Sequence, residues 1–177
     1  KNIPRMVRCF SRANKKLNDK YKLLIAGSFI SEDYTSAIRK EIKKNSYSNH
    51  VSLLGSVSKE ILKDLYQNAE LLLFPSPCEN FAYTLVEAMS MGVPIVCANT
   101  TAMPDTCRDA AIYFDPYDSS DMEKSFLQIF GRTRRFPTPL RAGLRRARSA
   151  CPSHASCRLH MPSVFLPAGP GHRALTM

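Results

Sequence analysis

No apolar run in this sequence approaches the roughly 20 residues that a membrane-spanning helix needs, and no secretory leader opens it. Six cysteines, Cys9, Cys78, Cys97, Cys107, Cys151 and Cys157, follow no framework spacing. A disulfide-stapled domain is therefore not expected, and a reducing, cytoplasmic compartment is. A glycine-rich phosphate loop and the dinucleotide fingerprint are both missing, as is any Ser-His-Asp or Cys-His arrangement for nucleophilic catalysis. The chain also opens on Lys1 rather than methionine, so an upstream part is expected.

The last 47 residues lack acid and lysine altogether. Residues 131–177 carry nine arginines, whereas residues 1–130 hold 16 basic and 15 acidic residues, a net charge of +1. The overall +10 thus belongs to the tail and argues for no nucleic-acid or membrane partner of the remainder. The tail holds six of the 12 prolines and two aromatics, Phe136 and Phe165, with no persistent period. Too few apolar anchors offset the entropy of ordering it, so disorder is expected. The abrupt change to arginine alone is the pattern that a shifted reading frame or altered terminus leaves. The arginines at 132–148 would hold RNA or acidic lipid only nonspecifically, with little aromatic interleaving, and no specific nucleic acid is expected. Cys151, His154, Cys157 and His160 recur every three residues, too close for the loop between ligand pairs of a zinc site, so no metal is expected.

What is present, over residues 1–130, is alternation. Ile3, Met6, Val7, Phe10, Ala13 and Leu17 recur at helical spacing. The run 21–27 reads as a buried strand ending in glycine. Residues 32–44 read as a surface helix with Tyr34, Ala37, Ile38 and Ile42 on one face, and 50–57 as a strand. Ser58 is placed to cap a helix bearing Leu62, Leu65, Tyr66 and Ala69. Further strands are read at 71–76, 94–98 and 110–114, and a helix at 81–91 stopped by Gly92. Ser120 and Glu123 have capping-box spacing before Met122, Phe126, Leu127 and Phe130. Apolar strands alternating with amphipathic helices predict an α/β, doubly wound, Rossmann-like parallel sheet with helices on both faces. Two parts are expected: a domain at 1–130 and an irregular Arg/Pro-rich tail at 131–177. Ligands of such sheets bind beyond the carboxyl ends of the strands.

The stretch 79–89, ENFAYTLVEAM, lies at such a place. Glu79 precedes the expected helix and Glu87 lies within it. The first amides, from Phe81, Ala82 and Tyr83, would face the loop, and a helix N-terminus suits a phosphate. Carboxylates accept hydrogen bonds from vicinal hydroxyls, so sugar, phosphate and ribose together describe a nucleotide sugar. Taken by spacing alone, two such glutamates are ordinarily solvated charges on a surface helix.

The wider segment FPSPCENFAYTLVEAMSMGVPIVCAN, residues 74–99, resembles the E-x7-E signature of retaining glycosyltransferases with the GT-B fold. KLLIAG, VSLLGSVSKEILKDLYQNAELLLFPS and DAAIYFDPYD extend the resemblance over residues 1 to 130 and none of the tail. It implies that Glu87 holds the donor ribose and that Glu79 acts catalytically, steadying the transferred sugar and its cationic anomeric centre. It further implies that Asn80, Phe81, Ala82, Tyr83 and Thr84 hold sugar and phosphate, that Val57 meets the nucleobase and that Lys1 neutralises the diphosphate. A UDP- or GDP-sugar donor, a glycan or lipid-linked acceptor, and no cofactor or metal are implied. So are a missing N-terminal acceptor domain, without which the isolated chain is inactive, and peripheral membrane association of the parent enzyme. The rival reading is a noncatalytic scaffold whose basic tail binds acidic partners.

Overall fold

The computed structural model describes residues 1–28, 31–131 and 163–167. Helices α1 (Ile3–Lys16), α2 (Glu32–Lys44), α3 (Lys59–Asn68), α4 (Tyr83–Met91), α5 (Ala102–Cys107) and α6 (Ser119–Gly131) alternate with strands β1 (Leu23–Ala26), β2 (Val51–Gly55), β3 (Ala69–Phe74), β4 (Ile95–Ala98) and β5 (Ala111–Phe114). A last strand, β6, spans Ser163–Pro167. The sheet order is β2-β1-β6-β3-β4-β5. Strands β1 and β2, β3 and β4, and β4 and β5 pair in parallel, so their carboxyl ends share one edge.

The helices form where apolar periodicity and end signals agree. In α1, Ile3, Met6, Val7, Phe10 and Ala13 are fully buried along one face. Ser31 caps α2 by accepting the Tyr34 N–H, and Ser58 caps α3 by accepting that of Ile61. Helix α4 ends at Gly92, whose left-handed φ of 73° suits a residue without Cβ. The Val93 N–H then closes onto the Ala88 carbonyl at 2.9 Å. Helices α1, α2 and α6 pack together, as do α3, α4 and α5. Between these two layers Leu23, Ile25, Leu71, Leu72, Leu73, Ile95 and Val96 are buried almost completely.

Three local expectations are corrected. Ser120 does not cap α6: Asp118 does, its carboxylate accepting the Ser120 N–H at 2.7 Å. Glu123 instead pairs with Lys16 of α1 at 2.7 Å. Helix α5 was not anticipated, because it is short and carries Pro104 in its first turn. The sheet is not wholly parallel either. β6 lies antiparallel between β1 and β3, with Val164 opposite both Ile25 and Leu73. It falls in the segment read as having no persistent structure, where a short apolar run found open strand edges to pair with. The expected disorder of 132–162 and 168–177, and the Cys151, His154, Cys157 and His160 spacing, lie outside the described residues.

Helix α1 is tied to α2 by a two-pronged ion pair, Arg8 Nε to Glu41 Oε1 at 2.9 Å and Arg8 Nη2 to Glu41 Oε2 at 3.0 Å. The Arg8 guanidinium holds the Glu41 carboxyl below its ordinary value of 4.5. A depressed carboxylate stabilises the fold above its unfolded pKa, and the contribution disappears as pH falls through the folded value. Glu41→Gln is therefore expected to lower stability at neutral pH by about 0.5–1 kcal/mol. That difference should shrink as pH falls below 4.5 in urea melts followed by circular dichroism. Phe10→Ala, which empties a fully buried site, should lower stability by about 3–5 kcal/mol in the same assay.

Candidate functional site

The site is built at the carboxyl end of β3. This central strand is apolar and buried from Leu71 to Phe74, and Pro75 and Ser76 lead the chain out of the ladder. The loop that follows is held by the neighbouring β4–α5 loop. Thr100 Oγ1 donates to the Pro77 carbonyl at 2.9 Å, and the Glu79 N–H donates to Thr101 Oγ1 at 3.1 Å. Thr101 takes a φ of 50°, a strained conformation for a β-branched residue and one that recurs at functional sites. Glu79 is only 6% exposed. Its carboxylate accepts a hydrogen bond from the Lys1 ammonium, an ion pair that compensates a buried charge. Lys1, implied to neutralise the diphosphate, sits on the catalytic candidate itself.

Helix α4 begins at Tyr83, two residues later than its periodicity suggests, and Ala82 at its start offers no side-chain cap. The Tyr83 N–H turns back onto the Phe81 carbonyl at 3.2 Å, so this amide, expected to face a ligand, is engaged. Among the described residues no hydrogen bond reaches the backbone N–H of Phe81, Ala82 or Thr84. These donors sit at the positive end of α4, an arrangement that accepts an anion. Ala82 and Thr84 are buried, while Phe81 is 50% and Tyr83 64% exposed, their ring centroids 4.6 Å apart. Asn80 is exposed, and its φ is not left-handed. The loop therefore does not draw on the backbone tolerance that asparagine offers; the unusual geometry is at Thr101 instead.

Glu87 sits one turn into α4, half-buried, where Tyr66 Oη of α3 donates to its Oε2 at 2.8 Å. Tyr66 is itself buried, so the carboxylate is oriented by a rigid partner. Val57 is half-buried just beyond β2, three strand positions from β3. At the usual strand spacing that is about 14 Å along the same edge. The structure thus brings Lys1 and Glu79 into contact, puts Glu87 on the helix whose open amides face the loop, and leaves Val57 at the far end of the edge. Cys78, beside Glu79, is exposed.

Two contributors escaped the sequence reading. Tyr66 lies among the apolar positions of α3 and reads as core, although a buried tyrosine hydroxyl needs a partner. Thr101 carries no sequence signal; its role exists only because β4 lies beside β3. Among the described residues, no helix is long and apolar enough to cross a membrane, and no cluster of three or more His, Cys, Asp or Glu side chains could hold a metal ion.

The described edge can bind hydroxyls through two oriented carboxylates and an anion through helix amides, the chemistry of a phosphorylated sugar. Comparison with known proteins gives the family and the fold. The chain is 30% identical over 128 residues to the Escherichia coli O-antigen chain mannosyltransferase B, covering 72% of this chain and 33% of that protein. It is 26% identical over 142 residues to the mannosylfructose-phosphate synthase of Agrobacterium fabrum, covering 77% and 31%. The chain therefore spans about a third of the length of these curated relatives. Its fold matches a glycosyltransferase from Rickettsia africae with a TM-score of 0.71 at 18% identity, over 84% of this chain and 38% of that one. It matches Anabaena HepE, solved in complex with UDP, with a TM-score of 0.69 at 20% identity, over 80% and 40%. The fold is the Rossmann-like, C-terminal-domain type of GT-B proteins. The family model for glycosyl transferases group 1 matches residues 1–134, and the chain belongs to that family.

Proposed function

We propose that this chain is the donor-binding half of a retaining glycosyltransferase that moves a hexose from a UDP- or GDP-sugar to a glycan or lipid-linked acceptor. The observation that carries the reading is the entry to α4, where buried Glu79, the open amides of Phe81, Ala82 and Thr84, and Tyr66-held Glu87 line one segment. The mannosyltransferases among the relatives make mannose the first sugar to try.

In this reading the α4 amides receive the donor phosphates, whose charge grows as the sugar leaves, so catalysis is electrostatic. Lys1 moves from Glu79 to the incoming diphosphate. The freed Glu79 carboxylate then faces sugar hydroxyls and an anomeric centre that becomes cationic. Glu87 grips the ribose, and the edge towards Val57 receives the base. The departing phosphate, rather than a protein base, takes the acceptor proton. Acceptor recognition falls to a domain outside this chain, so the isolated chain binds donor without turnover, in the cytoplasm or at its membrane surface.

Calorimetric titration of the full chain with UDP, GDP and their hexose conjugates should reveal binding by one nucleotide class. Glu87→Ala should weaken it by about 1.5–3 kcal/mol, the worth of a charged hydrogen-bond acceptor. Tyr66→Phe, which leaves Glu87 in place but unoriented, should weaken it by about 0.5–1.5 kcal/mol. Thr101→Val strips the acceptor from the Glu79 N–H and should reduce both affinity and melting temperature, whereas Thr101→Ser should restore them. A folded chain that binds none of these nucleotides would leave the donor-binding reading without support.

A further inference from the structure

Two buried thiols take no part in the site at Glu79. Cys97 lies in β4, paired with Tyr113 of β5, and Cys107 is the last residue of α5. Both are buried, and their thiols share a hydrogen bond. Residues 98–106 run between them and include Thr100 and Thr101, whose hydroxyls hold the Pro77 carbonyl and the Glu79 N–H. The thiol pair therefore closes the base of the segment that positions Glu79. The contact with Cys107, and then burial, hold the Cys97 thiol above its ordinary value of 9.0. A protonated, shielded thiol is a poor nucleophile, so the pair is inert while α5 stays packed.

Several features make α5 easy to open. It has six residues and is bounded by Thr101, at φ 50° and ψ −127°, and by Arg108, at φ 46° and ψ −119°. Residues with a Cβ rarely adopt that conformation, and Thr101 is β-branched. Unwinding α5 returns the free energy stored at both ends. The Thr101 hydroxyl accepts from Glu79 and gives α5 no cap. A helix this short, uncapped and strained at both ends belongs to the least stable part of a fold, where local opening occurs. Opening it uncovers both thiols together.

We propose that Cys97 and Cys107 form a reversible dithiol–disulfide switch that locks α5 shut and, through Thr101, fixes the loop carrying Glu79. The oxidant is a hydroperoxide. When α5 opens, one thiolate attacks the O–O bond, its sulfur becomes a sulfenic acid, and the other oxygen leaves with the thiol's proton as water. The second thiol attacks that sulfur, the S–O bond breaks, water leaves and the S–S bond forms. The two sulfurs together lose two electrons, and one hydrogen peroxide becomes two waters. A thiol reductant reverses the change. Thiols already in contact meet the geometric demand of a disulfide with little backbone movement. Closing the loop over 98–106 removes freedom from the opened segment and so favours the packed one. Reversible disulfides are the kind that a reducing compartment tolerates. The switch does not depend on what the site at Glu79 binds.

Peroxide treatment of the full chain, followed by alkylation and peptide mapping, tests the proposal. Exposed Cys78 reads the dose. Cleavage after Glu87, before Asp105 and after Arg108 puts Cys97 and Cys107 on separate peptides. Once Cys78 is fully oxidised, these two peptides are expected to be linked in most molecules and to separate on reduction with a dithiol. Hydrogen exchange is then read in Cys78→Ser, which removes the competing thiol. Amides 79 and 99–107 should exchange about tenfold more slowly in the oxidised form than in the reduced one. Cys107→Ser in the same background should abolish the slowing. Recovery of Cys97 and Cys107 as separately alkylated thiols after Cys78 is fully oxidised overturns the proposal, and this result needs no folded variant. A linked pair that leaves amides 79 and 99–107 exchanging as before also overturns it.

Discussion

A parallel strand reaches its neighbour only by crossing over one face of the sheet, and for L-residues that crossing is right-handed. Most of this structure follows from that constraint. From β1 the chain steps outward to β2 under α2, then returns beneath the opposite face through α3 to β3, and continues outward to β4 and β5. The two outward paths diverge from β1 and β3. Loops at the carboxyl ends of diverging strands splay apart and leave a crevice, where open α/β sheets bind ligands. Glu79 follows β3 directly and Lys1 precedes α1, so both reach that crevice without any long connection. The same divergence creates the slot that β6 occupies.

Within the crevice the two glutamates have different surroundings. Glu79 is buried, and its carboxylate accepts a hydrogen bond from the Lys1 side-chain ammonium, with the charge of the Lys1 amino terminus also acting on it. Glu87 is half-buried and held by a neutral hydroxyl on a packed helix, and no ion pair with it is found among the described residues. In the proposed reading, the first arrangement serves a group that acts when a cation develops. In the same proposed reading, the second serves a fixed grip on neutral hydroxyls. The strained Thr101 backbone has a visible purpose here, since its hydroxyl, presented from the β4–α5 loop, satisfies the Glu79 amide and fixes where the buried carboxylate can point.

Helix ends show how closely local signals track the fold and where they stop. Ser58 caps its helix as its position suggests, and the structure adds Ser31 on α2, because a cap needs only the next turn of backbone. Ser120 and Glu123 have equally good spacing and do not form a capping box. Asp118 takes the Ser120 amide, and Glu123 finds Lys16 on a helix more than 100 residues away in sequence. α4 starts late for a related reason. Glu79 is anchored by Thr101 and Lys1, which draws residues 80–82 out of helical geometry.

The alternation of short apolar strands with amphipathic helices, the burial of Ile3, Met6, Val7, Phe10 and Ala13, and the placing of Glu79 and Glu87 around a helix start were legible in the residues, because period and end signals depend on neighbours within a few positions. The family was legible too, in the run from Phe74 to Asn99. What the sequence could not convey were Tyr66 behind Glu87, Thr101 beneath Glu79, Lys1 on the Glu79 carboxylate and β6 between β1 and β3. Each joins segments from 21 to more than 130 residues apart. Such pairings carry no local periodicity; they arise only once crossover handedness has ordered the strands and brought their ends to one edge.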